Sequence, residues 1–175
     1  GATAILGAEQ GFCLLRSDGS VACWRQEPPA EIAGVQGAVS LHRGDDAICA
    51  IDAQGALHCW GAGGDATRSE AFAEPLRDWS GAQGFECAVT RSGSVLCRGD
   101  GNVGQLGHGA SGESFDQAVA VTGIAYALRV RLGSAHACAL LASGAVSCWG
   151  AGDAQMARPP STLRSSHEPV RVALP

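Results

Sequence analysis

The chain has 175 residues, enough for one domain with a proper core, so a single domain over residues 1–175 is expected. Its 12 basic residues are all arginine and face 17 acidic ones, and the net charge of -5 argues against the dense positive patch of a nucleic-acid surface. No apolar run approaches 18 residues, which excludes a membrane-crossing helix, and 46 % hydrophobic residues with only 5 % aromatics predict an interior of small, closely packed side chains.

In chain order, four repeats are predicted, at about 2–35, 36–76, 77–123 and 124–175. The first has a strand at Ile5 and Leu6, then a hairpin of Phe12–Leu15 and Val21–Trp24. Gln26-Glu27-Pro28-Pro29 breaks regular structure, and Ala30–Val35 returns as a short outer strand. The second follows the same plan with Val39–Leu41, Ile48–Ile51 and Ala56–Trp60, then a polar, glycine-rich loop at 61–69. The third begins near Arg77, with a hairpin of Cys87–Thr90 and Ser94–Arg98 and the longest connection, Gly99–Gln117. The fourth opens with Ile124–Leu132 and ends with Val170–Leu174. No stretch of ten or more residues keeps a helical period, so the expected class is all-β.

All eight cysteines belong to the repeated hairpin. They form the pairs Cys13 and Cys23, Cys49 and Cys59, Cys87 and Cys97, and Cys138 and Cys148, each separated by ten positions. Gly19, Gly55, Gly93 and Gly144 sit six positions after the first cysteine of each pair. A three-residue hairpin loop ending in a left-handed glycine explains that offset, because a type I turn followed by a bulge needs positive φ at its third position. Strand partners then sum to a constant within each hairpin, and each cysteine faces its mate at a non-hydrogen-bonded site. Buried free thiols are the alternative. Four facing pairs with none left over favour four hairpin disulfides and an oxidising compartment: extracellular, periplasmic or cell surface.

Gly133-Ser134-Ala135-His136-Ala137-Cys138-Ala139-Leu140, followed by Gly144-Ala145-Val146-Ser147-Cys148-Trp149-Gly150, resembles the signature of the regulator of chromosome condensation repeat. Asn102-Val103-Gly104-Gln105-Leu106-Gly107-His108-Gly109 is similar to the segment that follows its Trp-Gly pair. The resemblance implies a β-propeller of strand-hairpin-strand blades, four in this chain. Family propellers typically have about seven, so the chain could close as four, pair with a second copy into a larger ring, or form part of a longer protein. It departs from the pattern at Arg98, which replaces the motif tryptophan kept as Trp24, Trp60 and Trp149, and at Arg25, which replaces the following glycine.

The sequence offers little chemistry. His42, His58, His108, His136 and His167 are scattered over different repeats, structural roles are expected for His58 and His136, and no Gly-x-Ser-x-Gly motif occurs. Asp45 and Asp46 are adjacent and fit a turn. Asp100-Gly101-Asn102-Val103-Gly104 lacks the further ligands of a calcium loop, so no metal and no cofactor are expected. Binding residues are sought in the connections instead, above all the long third one. The candidates are Trp79 at a blade edge, His108, Phe115 on a polar loop, Arg164 and His167; Arg43, Arg68 and Arg158 could add polar contacts.

These readings predict a non-catalytic binding module, secreted or displayed by a bacterium, that holds a protein or a carbohydrate through its connecting loops. The alanine, glycine and arginine bias suggests a bacterial genome rich in G and C. The resemblance also includes secreted bacterial inhibitors of other enzymes. Guanine-nucleotide exchange on a small GTPase is the second reading, and an enzyme with an axial site the third.

Overall fold

The computed structural model describes residues 1–8, 11–26, 28–44, 47–61, 66–69, 72–110, 115–152 and 165–173. Among them there is no helix, and the strands form four antiparallel sheets of four, each a meander in chain order. The first sheet comprises β1 (Ala2–Ala8), β2 (Gly11–Arg16), β3 (Val21–Trp24) and β4 (Ala30–Glu31). The second comprises β5 (Ala38–Arg43), β6 (Ile48–Asp52), β7 (Leu57–Trp60) and β8 (Thr67–Arg68). The third holds β9 (Leu76–Ala82), β10 (Phe85–Thr90), β11 (Val95–Gly99) and β12 (Phe115–Ala120). The fourth holds β13 (Ala127–Leu132), β14 (His136–Leu141), β15 (Val146–Ala151) and β16 (Ser165–Arg171). These are the four blades, here called blades 1 to 4.

The hairpins have the register that the sequence dictates. Cys13 pairs with Cys23, Cys49 with Cys59, Cys87 with Cys97 and Cys138 with Cys148. Every pair is bridged, with Cα atoms 4.1 Å apart as a non-hydrogen-bonded site requires. The turns are identical. Arg16 N donates to Ser20 O (2.9 Å) and Gly19 N to Arg16 O (3.0 Å), and the same two bonds recur at 2.9–3.0 Å in the other three hairpins. The loop-closing glycines have φ of 81°, 88°, 90° and 81°, the left-handed region that a side chain would resist.

Two strands begin earlier than the sequence suggests. Phe115 opens β12 instead of standing on a polar loop, and β16 starts at Ser165 instead of Val170. Both are fourth strands, whose partly polar faces carry little hydrophobic signal. The loop at 61–69 also contains the two-residue strand β8.

The chain divides into two compact units, Gly1–Leu76 and Arg77–Pro175. In the first, Leu15 and Val21 of blade 1 pack with Ala50 and Trp60 of blade 2. In the second, Cys87, Val89 and Val95 of blade 3 pack with Val130, Ala139 and Trp149 of blade 4. Backbone bonds tie each pair of blades. Ala38 N donates to Gly19 O (3.0 Å) in the first unit, and Ala127 N donates to Gly93 O (2.9 Å) in the second. The glycine that closes a hairpin therefore also receives the start of the next blade.

Candidate functional site

Within the second unit, the segment after β11 runs over both blades and is held to each. Asp100 N donates to Gly84 O (2.9 Å), and Thr122 N to Gly107 O (2.9 Å), both in blade 3. On the side of blade 4, Trp149 Nε1 donates to Gln105 O (2.9 Å), and Gly109 N donates to His167 O (3.0 Å). Inside the segment, the Gln105 side chain accepts from Val103 N (2.9 Å), and Leu106 is fully buried in the core. Close approach also dictates the glycines: a β-carbon on Gly107 would meet the Trp149 ring at 2.7 Å, and one on Gly104 would meet the His167 Cα at 2.8 Å.

This ridge brings together three of the residues singled out from the sequence. The His108 and Phe115 rings meet edge to face with centroids 5.0 Å apart, and His167 lies against Gly104. Phe115 is partly buried against the core, so it anchors the connection as well as lining it. The two His108 ring nitrogens are shielded from solvent and have no hydrogen-bond partner among the described residues. A neutral imidazole carries one donor and one acceptor, and here both lie beneath the surface. In the same connection Asn102, Gly109 and Ala110 are exposed, as are Asp116 on β12 and Glu168 on β16.

Trp79 is not at an exposed blade edge. It is 5 % exposed, on β9, and its indole N–H donates to Glu86. β9 is buried on both faces here, since Asp78 and Ser80 on either side are buried too, and a carboxylate on the neighbouring strand satisfies the ring nitrogen of Trp79. Glu86 in turn binds Arg98 Nε (2.6 Å), and Arg98 reaches Asp116 O (3.1 Å), the residue after Phe115. Arg164 and Arg158, like Asp45 and Asp46, lie outside the described residues.

The remaining histidines are structural. His58 is paired with Asp52 at 2.9 Å, and His42, 6 % exposed, bonds Ser40 Oγ at 2.8 Å. His136 packs over Gly133, where a β-carbon would meet its ring at 2.4 Å. Burial works to raise the Asp52 pKa, but the bonds from His58, Ala56 N and Gln54 N outweigh it and hold the carboxyl below its ordinary value.

In the first unit an open groove runs between Asp18 and the segment Glu31–Gly37. Its carboxylate is already committed: Ser20 N (2.9 Å) and Ser20 Oγ (2.8 Å) both donate to Asp18, which holds that pKa down. Among the described residues no group of three or more histidine, cysteine or acidic side chains could hold a metal ion.

Sequence reading missed three features. Asp78 on β9 is 1 % exposed and accepts from Val130 N (2.7 Å) and Arg131 (2.8 Å), with Arg129 at 3.7 Å. Tyr126 is the one non-glycine residue with positive φ (56°) among those described, at a place where blade 2 has Gly37. The Glu86–Arg98 pair could have been found, because those positions face each other in the hairpin register.

No family model matches the chain, and no curated protein does. Solved structures do. Human WBSCR16 matches with a TM-score of 0.79 and 17 % identity over 99 % of this chain and 53 % of that one. Yeast RCC1 (Prp20) bound to Kap60 matches with 0.77 and 13 % identity over 99 % and 49 %. Prp20p from Saccharomyces cerevisiae, studied with its binding to Gsp1p and histones, matches with 0.76 and 13 % identity over 98 % and 50 %. The chain thus has the fold of RCC1-type β-propeller blades and spans about half the length of these proteins. Four disulfides suit that fold to an oxidising setting, and among the described residues no helix is long and apolar enough to cross a membrane.

Proposed function

We propose that the four blades act as one propeller domain over residues 1–175 and serve as a non-catalytic binding module, secreted or displayed on a bacterial surface, whose partner is a protein. The observation that supports this most is the ridge of the second unit. A long connection is fixed by backbone bonds to two blades, holds His108 edge to face with Phe115, and meets the strand that carries His167. Rigid presentation lowers the ordering cost of binding, which is what a recognition surface needs. A carbohydrate suits the same ridge as an alternative ligand, and a second copy of the chain is a further partner.

Regulation of a small GTPase by nucleotide exchange is the second reading, favoured by the fold likeness to Prp20p, whose binding to Gsp1p has been studied. It fits less well with bridged cysteines and a net charge of -5. An enzyme with an axial site is the third reading.

The test is a binding screen of the immobilised chain against secreted proteins and a glycan array, with a nucleotide-exchange assay alongside, for the wild type and for His108→Ala and His167→Ala. The expected result is a protein ligand whose affinity falls about tenfold, or about 1.4 kcal/mol, in the His108 variant. A ligand indifferent to both substitutions would move the site elsewhere. Substrate turnover abolished by either substitution would overturn the non-catalytic reading.

A further inference from the structure

Every blade has two faces, and each unit shows how they are used. The face carrying the residue two after the first cysteine, here the trailing face, packs on the next blade. The opposite face, here the leading face, carries the residue before that cysteine and the residue after the second one. In the second unit the trailing Val89 and Val95 of blade 3, 0 % and 1 % exposed, meet the leading Val130, Ala137 and Trp149 of blade 4, each 0 % exposed.

The leading face of blade 1 has the same apolar character and no cover. Ile5, at the position of Val130, is 65 % exposed, and Phe12, at the position of Ala137, is 50 % exposed. Trp24, at the position of Trp149, is half-buried and stacks on Phe12 with ring centroids 5.8 Å apart. The trailing face of blade 4 is likewise bare. Leu140 is 37 % exposed, whereas its counterparts Leu15, Ile51 and Val89 are 3 %, 1 % and 0 % exposed. Cys138, Val146 and Val172 are partly exposed, whereas Cys87, Val95 and Val121 of blade 3 are 0 %, 1 % and 5 % exposed. Arg129 and Arg131 rim this face, both turned toward Asp78.

We propose that two copies of the chain associate head to tail, the leading face of blade 1 in each copy docking on the trailing face of blade 4 in the other. This deepens the reading above in which a second copy is a partner. Within each unit a leading face is covered by a trailing face of the same repeat, and blade 4 carries a trailing face whose Leu140 is exposed. A contact between unlike faces closes only when the rotation completes a ring. Two copies bring eight blades, within the range of about four to eight with which propellers close.

The experiment is light scattering on the size-separated chain at micromolar concentration, for the wild type, Ile5→Arg, Leu140→Arg and an equimolar mixture of the two variants. Both side chains are exposed in the single copy, so neither substitution disturbs a packed core. The wild type should weigh about twice 17.7 kDa, and each variant alone should remain a single copy. Their mixture should regain the double mass, because one junction then joins two unaltered faces, and that recovery also shows both variants to be folded. A wild type that stays a single copy overturns the inference together with the reading of a second copy as partner. A wild-type dimer that one of the variants still forms alone overturns the head-to-tail mode and shows association through like faces.

Discussion

Arg98 Nε lies 2.6 Å from Glu86 Oε1, across the same hairpin pair that is Ala137 and Trp149 in blade 4. Blade 3 has replaced an apolar motif pair by an ion pair, and Glu86 also takes the indole N–H of the buried Trp79. Loss of the motif tryptophan is therefore compensated locally.

That compensation is testable as a cycle. Glu86→Ala should cost about 1–3 kcal/mol, since it removes the acceptor for both Trp79 and Arg98. Arg98→Trp alone places an indole against a carboxylate, whereas Glu86→Ala with Arg98→Trp rebuilds the pair seen in blade 4. Urea denaturation of the four proteins should give a double variant more stable than the sum of the single losses predicts. Additive losses would mean that the two side chains act independently.

Asp52 should make stability sensitive to acid. Its folded pKa is depressed, so its contribution is present above the unfolded carboxylate value of about 3.9 and is lost as pH falls through the lower folded value. Asp52→Asn should be less stable than the wild type at neutral pH, and the difference should shrink below about pH 4. A difference that does not change with pH would assign the loss to packing.

The hairpin glycines share a conformation and differ in surroundings. Gly144 has open space at its β-position, so Gly144→Ala should cost only the left-handed strain of about 1–2 kcal/mol. Gly19→Ala has the same strain and also a clash with the Gly37 backbone at 2.7 Å, so its melting temperature should fall further. Equal losses would show that the clash relaxes freely.

These features divide by range. Cysteine pairing, turn type and hairpin register are fixed by residues within about ten positions of one another, as the loop-closing bond of Gly144 to Leu141 illustrates, so they are legible in the sequence. Of the ridge, His108 and Phe115 were legible as members of the long connection, and His167 as a loop candidate. Their meeting was not, because it depends on β16 returning beside a segment some 60 positions earlier. Trp79 shows the other limit. A lone tryptophan outside the motif reads as exposed, and only the carboxylate on the adjacent strand explains how it can be buried. Asp78 is invisible for the same reason, since its partners lie 52 and 53 positions away.

The account rests on four hairpins each clamped by its own bridge, at about 2–3 kcal/mol apiece in the chain-entropy view. The direct measurement is disulfide mapping of the natively expressed chain, alkylated under denaturing conditions without reductant and digested for mass spectrometry. The account predicts no alkylated cysteine and four bridged peptides joining Cys13 to Cys23, Cys49 to Cys59, Cys87 to Cys97 and Cys138 to Cys148. Bridges running between hairpins would contradict the pairing, and eight alkylated thiols would contradict the bridges altogether and return the cysteines to ordinary core residues in a reducing compartment.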